Sequence, residues 1–262
     1  MALATTAARR TGERRRPPVA FDRIQQQRAH EYVAEQIRRH IALRLVAPGE
    51  ALPSERELAA MFGVGRPTVQ HALRLLEADK LVEARRGRLG GTFVLAPSED
   101  AQVMDELIAR LLRRRAALEE LLDYRLMLEP TIARTAAVTR KKTDLERIEH
   151  TLRRMAVAEN DADYMRFDTE FHIAVAAATH NRYLTAAIEE VRTELNDALS
   201  LLPETETWRR RLSGEHEEIF AALEKGDRNA AEAAAGVHVM NSDTSVRAVL
   251  AAIRRRRTPR KA

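Results

Sequence analysis

The 262-residue sequence predicts a mostly α protein in two modules: short N-terminal helices backed by a small β-hairpin, then an all-α antiparallel helical bundle. Three observations carry this expectation. Apolar residues make up 45% of the chain but aromatics only 4%, and glycines and prolines are few, which favours helices built on Ala, Leu, Arg and Glu. Strand-like alternation is confined to one glycine-containing stretch before Pro97. Charge divides the chain as well: residues 1–96 hold 17 Lys+Arg against 10 Asp+Glu, residues 97–253 hold 21 against 29, and residues 254–262 add six bases and no acid. A basic front joined to an acidic middle is the pattern of a polyanion-binding module coupled to one that does not touch the polyanion.

In chain order, residues 1–24 are basic, contain Pro17-Pro18 and read as a disordered tail. From Gln25 to Leu45 the residues Val33, Ile37 and Ile41 recur at every fourth position, one stripe of a helix, and Pro48-Gly49 ends it. Ser54 with Glu57 three residues on is a capping box, so a second helix opens there and runs to about Phe62. Gly63-Val64-Gly65 forms a turn. A third helix begins near Arg66, with Pro67 in its first turn, where the missing N–H does no harm. Val69, Ala72, Leu73 and Leu76 form its apolar face, leaving Arg66, Thr68, Gln70, His71 and Arg74 outward. Leu81 to Arg86 and Thr92 to Leu95 read as two strands, with Gly87, Gly90 and Gly91 between them. Residues 25–96 thus form a winged helix-turn-helix, the arrangement that lays one helix in the major groove of double-stranded DNA.

After Pro97 helices are expected near 99–115, 117–139, 142–158, 161–179, 181–202, 213–225 and 227–253. Short connections make them antiparallel neighbours, and residues 101–250 form the second domain. Leu118, Leu121, Leu122, Leu128 and Ile132 face inward from one helix, while Gly226-Asp227 reads as a C-cap followed by an N-cap. Residues 254–262 read as a second basic, disordered tail.

The absence of cysteine removes disulfides and thiolate metal sites, leaving His and carboxylate as the strong ligands. No apolar run is long enough to cross a bilayer, and the basic N-terminus lacks the apolar segment of a secretory signal, so a cytoplasmic protein without a membrane partner is expected. Asp168 and His172 stand four apart on one helix, one turn apart on the same face, and can grip one ion. His216 and His238 lie on separate later helices. Three imidazoles and one carboxylate would make an incomplete shell, with room for water or an anionic ligand. Spacing alone leaves two other readings open: Asp-x-x-x-His as a surface hydrogen bond, and a His beside Val and Met as a satisfied core residue.

Residues 25–96 resemble the DNA-binding domain of the GntR family of bacterial transcription regulators through LPSERELA at 52–59, the glycine turn, the third helix and the basic wing. This resemblance implies DNA contacts from Arg56, Gly65, Arg66, Thr68, Gln70, Arg86 and Gly87. Two departures matter. Gly65 stands where Ser or Thr is usual, at a cost of a few tenths of a kcal/mol as a cap. Gln70-His71 replaces Arg-Glu; Arg grips guanine O6 and N7 whereas Gln prefers adenine N6 and N7, so the half-site is expected to differ from the family's common one.

The segments DTEFHIAVAAATHNRYL and HEEIFAALEKGDRNAAEAAAGVH resemble the FCD effector domain of the FadR-type branch, over roughly residues 101–250. The resemblance implies a divalent metal, zinc first with nickel or manganese as alternatives, on Asp168, His172, His216 and His238, all four of which are present. It also implies that Arg125 in DYRLMLEP reaches the ligand cavity and holds a small carboxylate effector in bidentate fashion. The alternative for Arg125 is an ordinary helix pair with Glu129. Tyr124, Arg192 and Asn196 are candidates to line the cavity, and Asn181 to cap a helix. Together these features lead to the expectation of a homodimeric, metal-dependent repressor, released from a near-palindromic operator by a small organic acid. One rival is a metal-dependent hydrolase, which needs a general base and a charge stabiliser that no motif supplies. The other is an architectural DNA-binding protein with a purely structural metal.

Overall fold

Two apolar cores form in the computed structural model, which describes residues 28–46, 48–87, 90–95, 101–199 and 206–257. The N-terminal tail expected at 1–24, residues 25–27 and Pro97 lie outside the described residues.

The first core joins α1 (Ala29–Ala42), α2 (Glu55–Phe62), α3 (Arg66–Ala78) and the hairpin of β1 (Val82–Arg85) and β2 (Gly91–Val94). Its elements start and stop for local reasons. Ser54 Oγ accepts from the Glu57 amide at 3.3 Å while Glu57 accepts from the Ser54 amide at 2.8 Å, closing the expected capping box. Gly63 ends α2 at φ +63, in the left-handed region that only glycine occupies cheaply. Val69, Ala72, Leu73 and Leu76 are buried on one face of α3. The strands pair antiparallel with Val82 opposite Val94 and Arg85 opposite Gly91.

The second core is built by α4 (Ala101–Arg113), α5 (Arg115–Thr139), α6 (Lys142–Ala156), α7 (Asp161–Ala177), α8 (Arg182–Leu199), α9 (Glu206–Lys225) and α10 (Arg228–Arg257). Helix α7 is central: Tyr164, Phe167, Phe171, His172 and Val175 are all buried, as expected of a helix packed on most sides. Helices α5 and α10 lie antiparallel, with Arg247 bonded to Asp123 at 2.7 Å near one end and Arg134 bonded to Glu232 near the other. Between α9 and α10, Gly226 sits at φ +72 and Asp227 Oδ1 accepts from the Ala230 amide at 3.0 Å, the expected cap pair.

Two boundaries differ from the sequence reading. Helix α9 begins at Glu206 and runs through Gly214, where a helix begun near 213 was expected; an interior glycine costs only about 1 kcal/mol, which the packing of Leu212 and Ile219 offsets. Helix α10 runs to Arg257, so Arg254 to Arg257 continue a helix where a disordered tail was expected. Cations at a helix C-terminus are favoured by its dipole. Residues 258–262 lie outside the described residues.

Candidate metal centre and nucleic-acid interface

Three helices converge on one buried point. Asp168 and His172 project from α7, His216 from α9 and His238 from α10, and all four are buried. One nitrogen from each of His172, His216 and His238 can be chosen so that all lie within 4.8 Å of one another. Asp168 Oδ1 is 3.3 Å from His216 Nε2 and 3.7 Å from His172 Nε2.

The environment of each ring explains its charge state. His172 Nδ1 lies 2.8 Å from Glu129 Oε2, and His238 Nδ1 lies 3.0 Å from Glu215 Oε2. Such carboxylates fix the imidazole so that Nε2 faces the cluster, the usual support for a metal-bound histidine. Burial, with His216 and His172 alongside, holds His238 well below the usual histidine range, and burial lowers His216 despite the nearby Asp168 carboxylate. For His172 burial is outweighed by Glu129 and Asp168, which raise it. Burial also works against an Asp168 carboxylate, yet Arg192 and the two imidazoles hold it well below its ordinary value.

This donor set fits a divalent cation. His172 Nε2 and both ring nitrogens of His216 are buried without a hydrogen-bond partner, and each such orphan costs about 1–3 kcal/mol. Around them Arg125 and Arg192 face four carboxylates, Glu129, Asp168, Glu215 and Asp243, with Arg211 reaching Glu215 at 3.7 Å from the half-exposed rim. The carboxylates outnumber the two buried guanidinium groups, so a cation at the imidazoles would meet compensating charge.

Arg125 makes the helix pair with Glu129 that was its alternative reading. It is fully buried and pairs with Glu129, and its NH1 donates to Ser242 Oγ at 2.6 Å and Asp243 Oδ1 at 2.8 Å. Through Glu129 it is one residue removed from His172. Arg192 donates to Asp168 and, at 3.0 Å, to Thr169 Oγ1, so it lies in the site. Asn196 lies beside it and donates to the Ala42 carbonyl at the end of α1 at 2.8 Å. Asn181 Oδ1 accepts from the Tyr183 amide at 3.0 Å, as a cap does. Tyr124 corrects an expectation: it is 43% exposed on the outer side of α5, because Arg125 next to it takes the inward position. The cavity bordering Glu129 and His172 measures about 10 Å³, room for one water at most.

The sequence reading missed Glu129 and Glu215 as histidine supports and Ser242 and Asp243 as partners of Arg125. Glu129 had been noticed only as a helix partner, and pairings across 23 to 118 residues leave no local signal.

At the other module, Arg56 on α2 and Arg66 and Gln70 on α3 are exposed, Thr68 is half-buried, and Gly65 is the N-cap of α3 without a side-chain bond. Arg86 is exposed just after β1, and Gly87 follows at φ +112, a left-handed conformation suited to glycine. A further residue joins this surface: Glu55 Oε2 accepts from Gln70 Nε2 at 2.8 Å and from Arg66 NH2 at 3.2 Å. His71 stacks on His30 of α1 with ring centroids 3.8 Å apart.

A helix-turn-helix with a glycine wing, tied to an all-α bundle with a buried polar centre, defines a one-chain DNA-binding regulator with its own regulatory domain. Comparison with known proteins identifies which kind. Residues 29–94 match the family model for bacterial regulatory proteins of the gntR family, and residues 120–241 match the FCD domain. The chain is 36% identical over 200 residues to the HTH-type transcriptional regulator LutR of Bacillus subtilis, covering 74% of this chain and 90% of LutR. It is 32% identical to the Uxu operon transcriptional regulator of Escherichia coli over 82% of this chain and 85% of that one. It is 31% identical to the HTH-type transcriptional repressor NanR of Cronobacter sakazakii, over 80% of this chain and 82% of that one. The chain belongs to the gntR family of bacterial regulatory proteins, with an FCD domain. It is a DNA-binding transcription regulator, and its relatives are regulators, not enzymes. Among the described residues no helix is long and apolar enough to cross a membrane.

Proposed function

We propose that this regulator is metal-dependent and answers to a small organic acid, acting as a homodimeric repressor that the acid releases from a near-palindromic operator. The observation that carries the metal is the convergence of three buried imidazoles and Asp168 with orphaned ring nitrogens at their centre. His172, His216, His238 and Asp168 would hold the ion, zinc in the first instance, and the ion would supply a Lewis-acidic point of attachment for a carboxylate oxygen. Arg125 supplies the complementary guanidinium. Its acceptors are already in place, so an incoming carboxylate has to displace Asp243 and Ser242, and this displacement shifts α10 against α5. A ligand acts on DNA affinity only through such a difference between two states. Operator contacts come from Arg56, Gly65, Arg66, Thr68, Gln70, Arg86 and Gly87.

The test is elemental analysis of protein purified without chelator or metal-affinity tag. About one divalent ion per chain is expected, with loss in His216→Ala. In a thermal-shift screen of small carboxylic acids the loaded protein should gain several degrees at saturating acid, and Arg125→Ala should gain none. A metal-free parent indistinguishable from His216→Ala would remove the metal from the account.

A further inference from the structure

The outward face of α3 carries an imidazole pair that none of the assigned operator contacts includes. Successive residues turn a helix by about 100°, so opposite the buried Val69, Ala72, Leu73 and Leu76 stand Pro67, His71 and Arg74, all exposed. Gln70 lies at one border of that face and His71 near its middle. A helix enters a groove with the face turned away from its own core, so His71 is presented to DNA together with Gln70 and Arg74. The half-buried His30, in the first turn of α1, lies against it with ring centroids 3.8 Å apart and planes 13° from parallel. The charged groups around the pair are Arg28 and Glu31 on α1 and Arg74 on α3, and the Glu31 carboxylate accepts from the Arg28 amide at 2.9 Å.

We propose that His71, stacked on His30, is a DNA-phosphate contact that takes up a proton when the reader binds DNA. Two imidazolium rings at this separation would repel, so the pair holds at most one proton. In the free chain desolvation, with His30, Arg74 and Arg28 alongside, holds His71 below the usual histidine range, and Glu31 offsets this only in part. A phosphate reverses the balance. An anion within hydrogen-bond reach favours the imidazolium form of His71, which donates an N–H to it, while His30 stays neutral behind it and the proton comes from solvent. The placement selects phosphate over a base edge: His30 and Arg28 open α1, outside the helix that reads the groove, and a mainly basic cluster there suits the DNA backbone. Arg28 and Arg74 are charged at every pH, so only the imidazole ties affinity to pH in the neutral range. Affinity therefore rises as pH falls through the bound-state value of His71 and levels off below its free-state value.

The experiment measures binding of the full-length chain by fluorescence anisotropy at one salt concentration, on an operator selected from random duplexes and on a random-sequence duplex. From about pH 6 to about pH 8 the parent should weaken about tenfold or more on both, since one linked proton allows up to about tenfold per pH unit. His71→Phe keeps a ring against His30 but cannot take the proton, and should lose this pH-dependent part. His71→Arg supplies a fixed cation and should bind at about pH 8 as tightly as the parent does at about pH 6. His30→Phe, which preserves the ring behind His71, should keep the response. The bundle's imidazoles are common to parent and variants, so they cancel in the comparison. Calorimetry of DNA binding in buffers of different ionisation enthalpy counts the protons directly, and the parent should take up more than His71→Phe. A stack that served only to pack α1 on α3 would lower the melting midpoint of the variants and leave the proton count unchanged. A flat parent profile, or His71→Phe taking up as many protons as the parent, overturns the proposal; a response on the operator but not on the random duplex moves the contact to a base and overturns the phosphate assignment.

Discussion

At the residue scale the site is defined by what each buried polar atom touches. Asp243 is the clearest case. Its Oδ1 accepts from Arg125, its Oδ2 is buried without a partner, and burial pushes its carboxyl up to about 6, with Arg125 pulling it back only in part. The sign follows from linkage. A carboxyl raised in the folded state contributes stability below its unfolded value, near 3.9, and loses it as pH rises through about 6. Asp243→Asn is permanently neutral, so its unfolding midpoint should rise relative to the parent between pH 5 and pH 7, measured by thermal melts in matched buffers. A constant difference across that range would mean that Arg125 fully compensates the buried charge. From spacing alone, residue identity was legible here only where the pattern was local; His216 and His238 came from the resemblance. Asp168 and His172 share a turn and were singled out, whereas Glu215, which orients His238 from 23 residues away, could not be read from spacing.

Elements were legible where caps and periodicity agree. The Ser54–Glu57 box, the Gly63 stop and the four-residue apolar face of α3 are each encoded within a few positions, and each forms as expected. Helix α5 was less transparent. Its inward stripe of Leu118, Leu122, Leu128 and Ile132 passes through Arg125, but the pattern could not say which groups would accept from a buried guanidinium there; those are Glu129 on α5 and Ser242 and Asp243 on α10. The start of α9 was placed near 213, whereas the helix begins at Glu206 and tertiary packing carries it through Gly214, a single interior glycine. The departure at Gly65 has a measurable consequence. Gly65 caps α3 at φ −71 and ψ 149, a backbone any residue adopts, and a Cβ there would meet only Pro67 Cδ at an ordinary 3.6 Å. Gly65→Ser should therefore stabilise the reader by a few tenths of a kcal/mol, read as a higher midpoint in denaturant melts. A lower midpoint would show that the glycine is needed for its backbone.

On the scale of the whole molecule the bundle and the reader are joined through polar contacts. Arg39 of α1 pairs with Glu189 of α8 at 2.8 Å, Arg166 of α7 pairs with Glu50 at 2.9 Å, and Asn196 of α8 bonds the end of α1. One turn before Asn196, Arg192 holds Asp168, so α8 touches both the buried histidine cluster and the reader. The division of labour between modules was plain from charge and periodicity, because composition differs over whole segments. Their coupling was not, because it rests on single side chains such as Asn196 and Arg166 meeting across 116 to 154 residues.

The most direct test of the central claim measures operator affinity by fluorescence anisotropy, using a site selected from random duplexes at one fixed salt concentration, for metal-loaded and chelator-stripped protein, each with and without the acid found by thermal shift. The expected result is that acid weakens binding of the loaded protein about tenfold or more and leaves the stripped protein unchanged. An equal acid response with and without metal, or none in either, would contradict it.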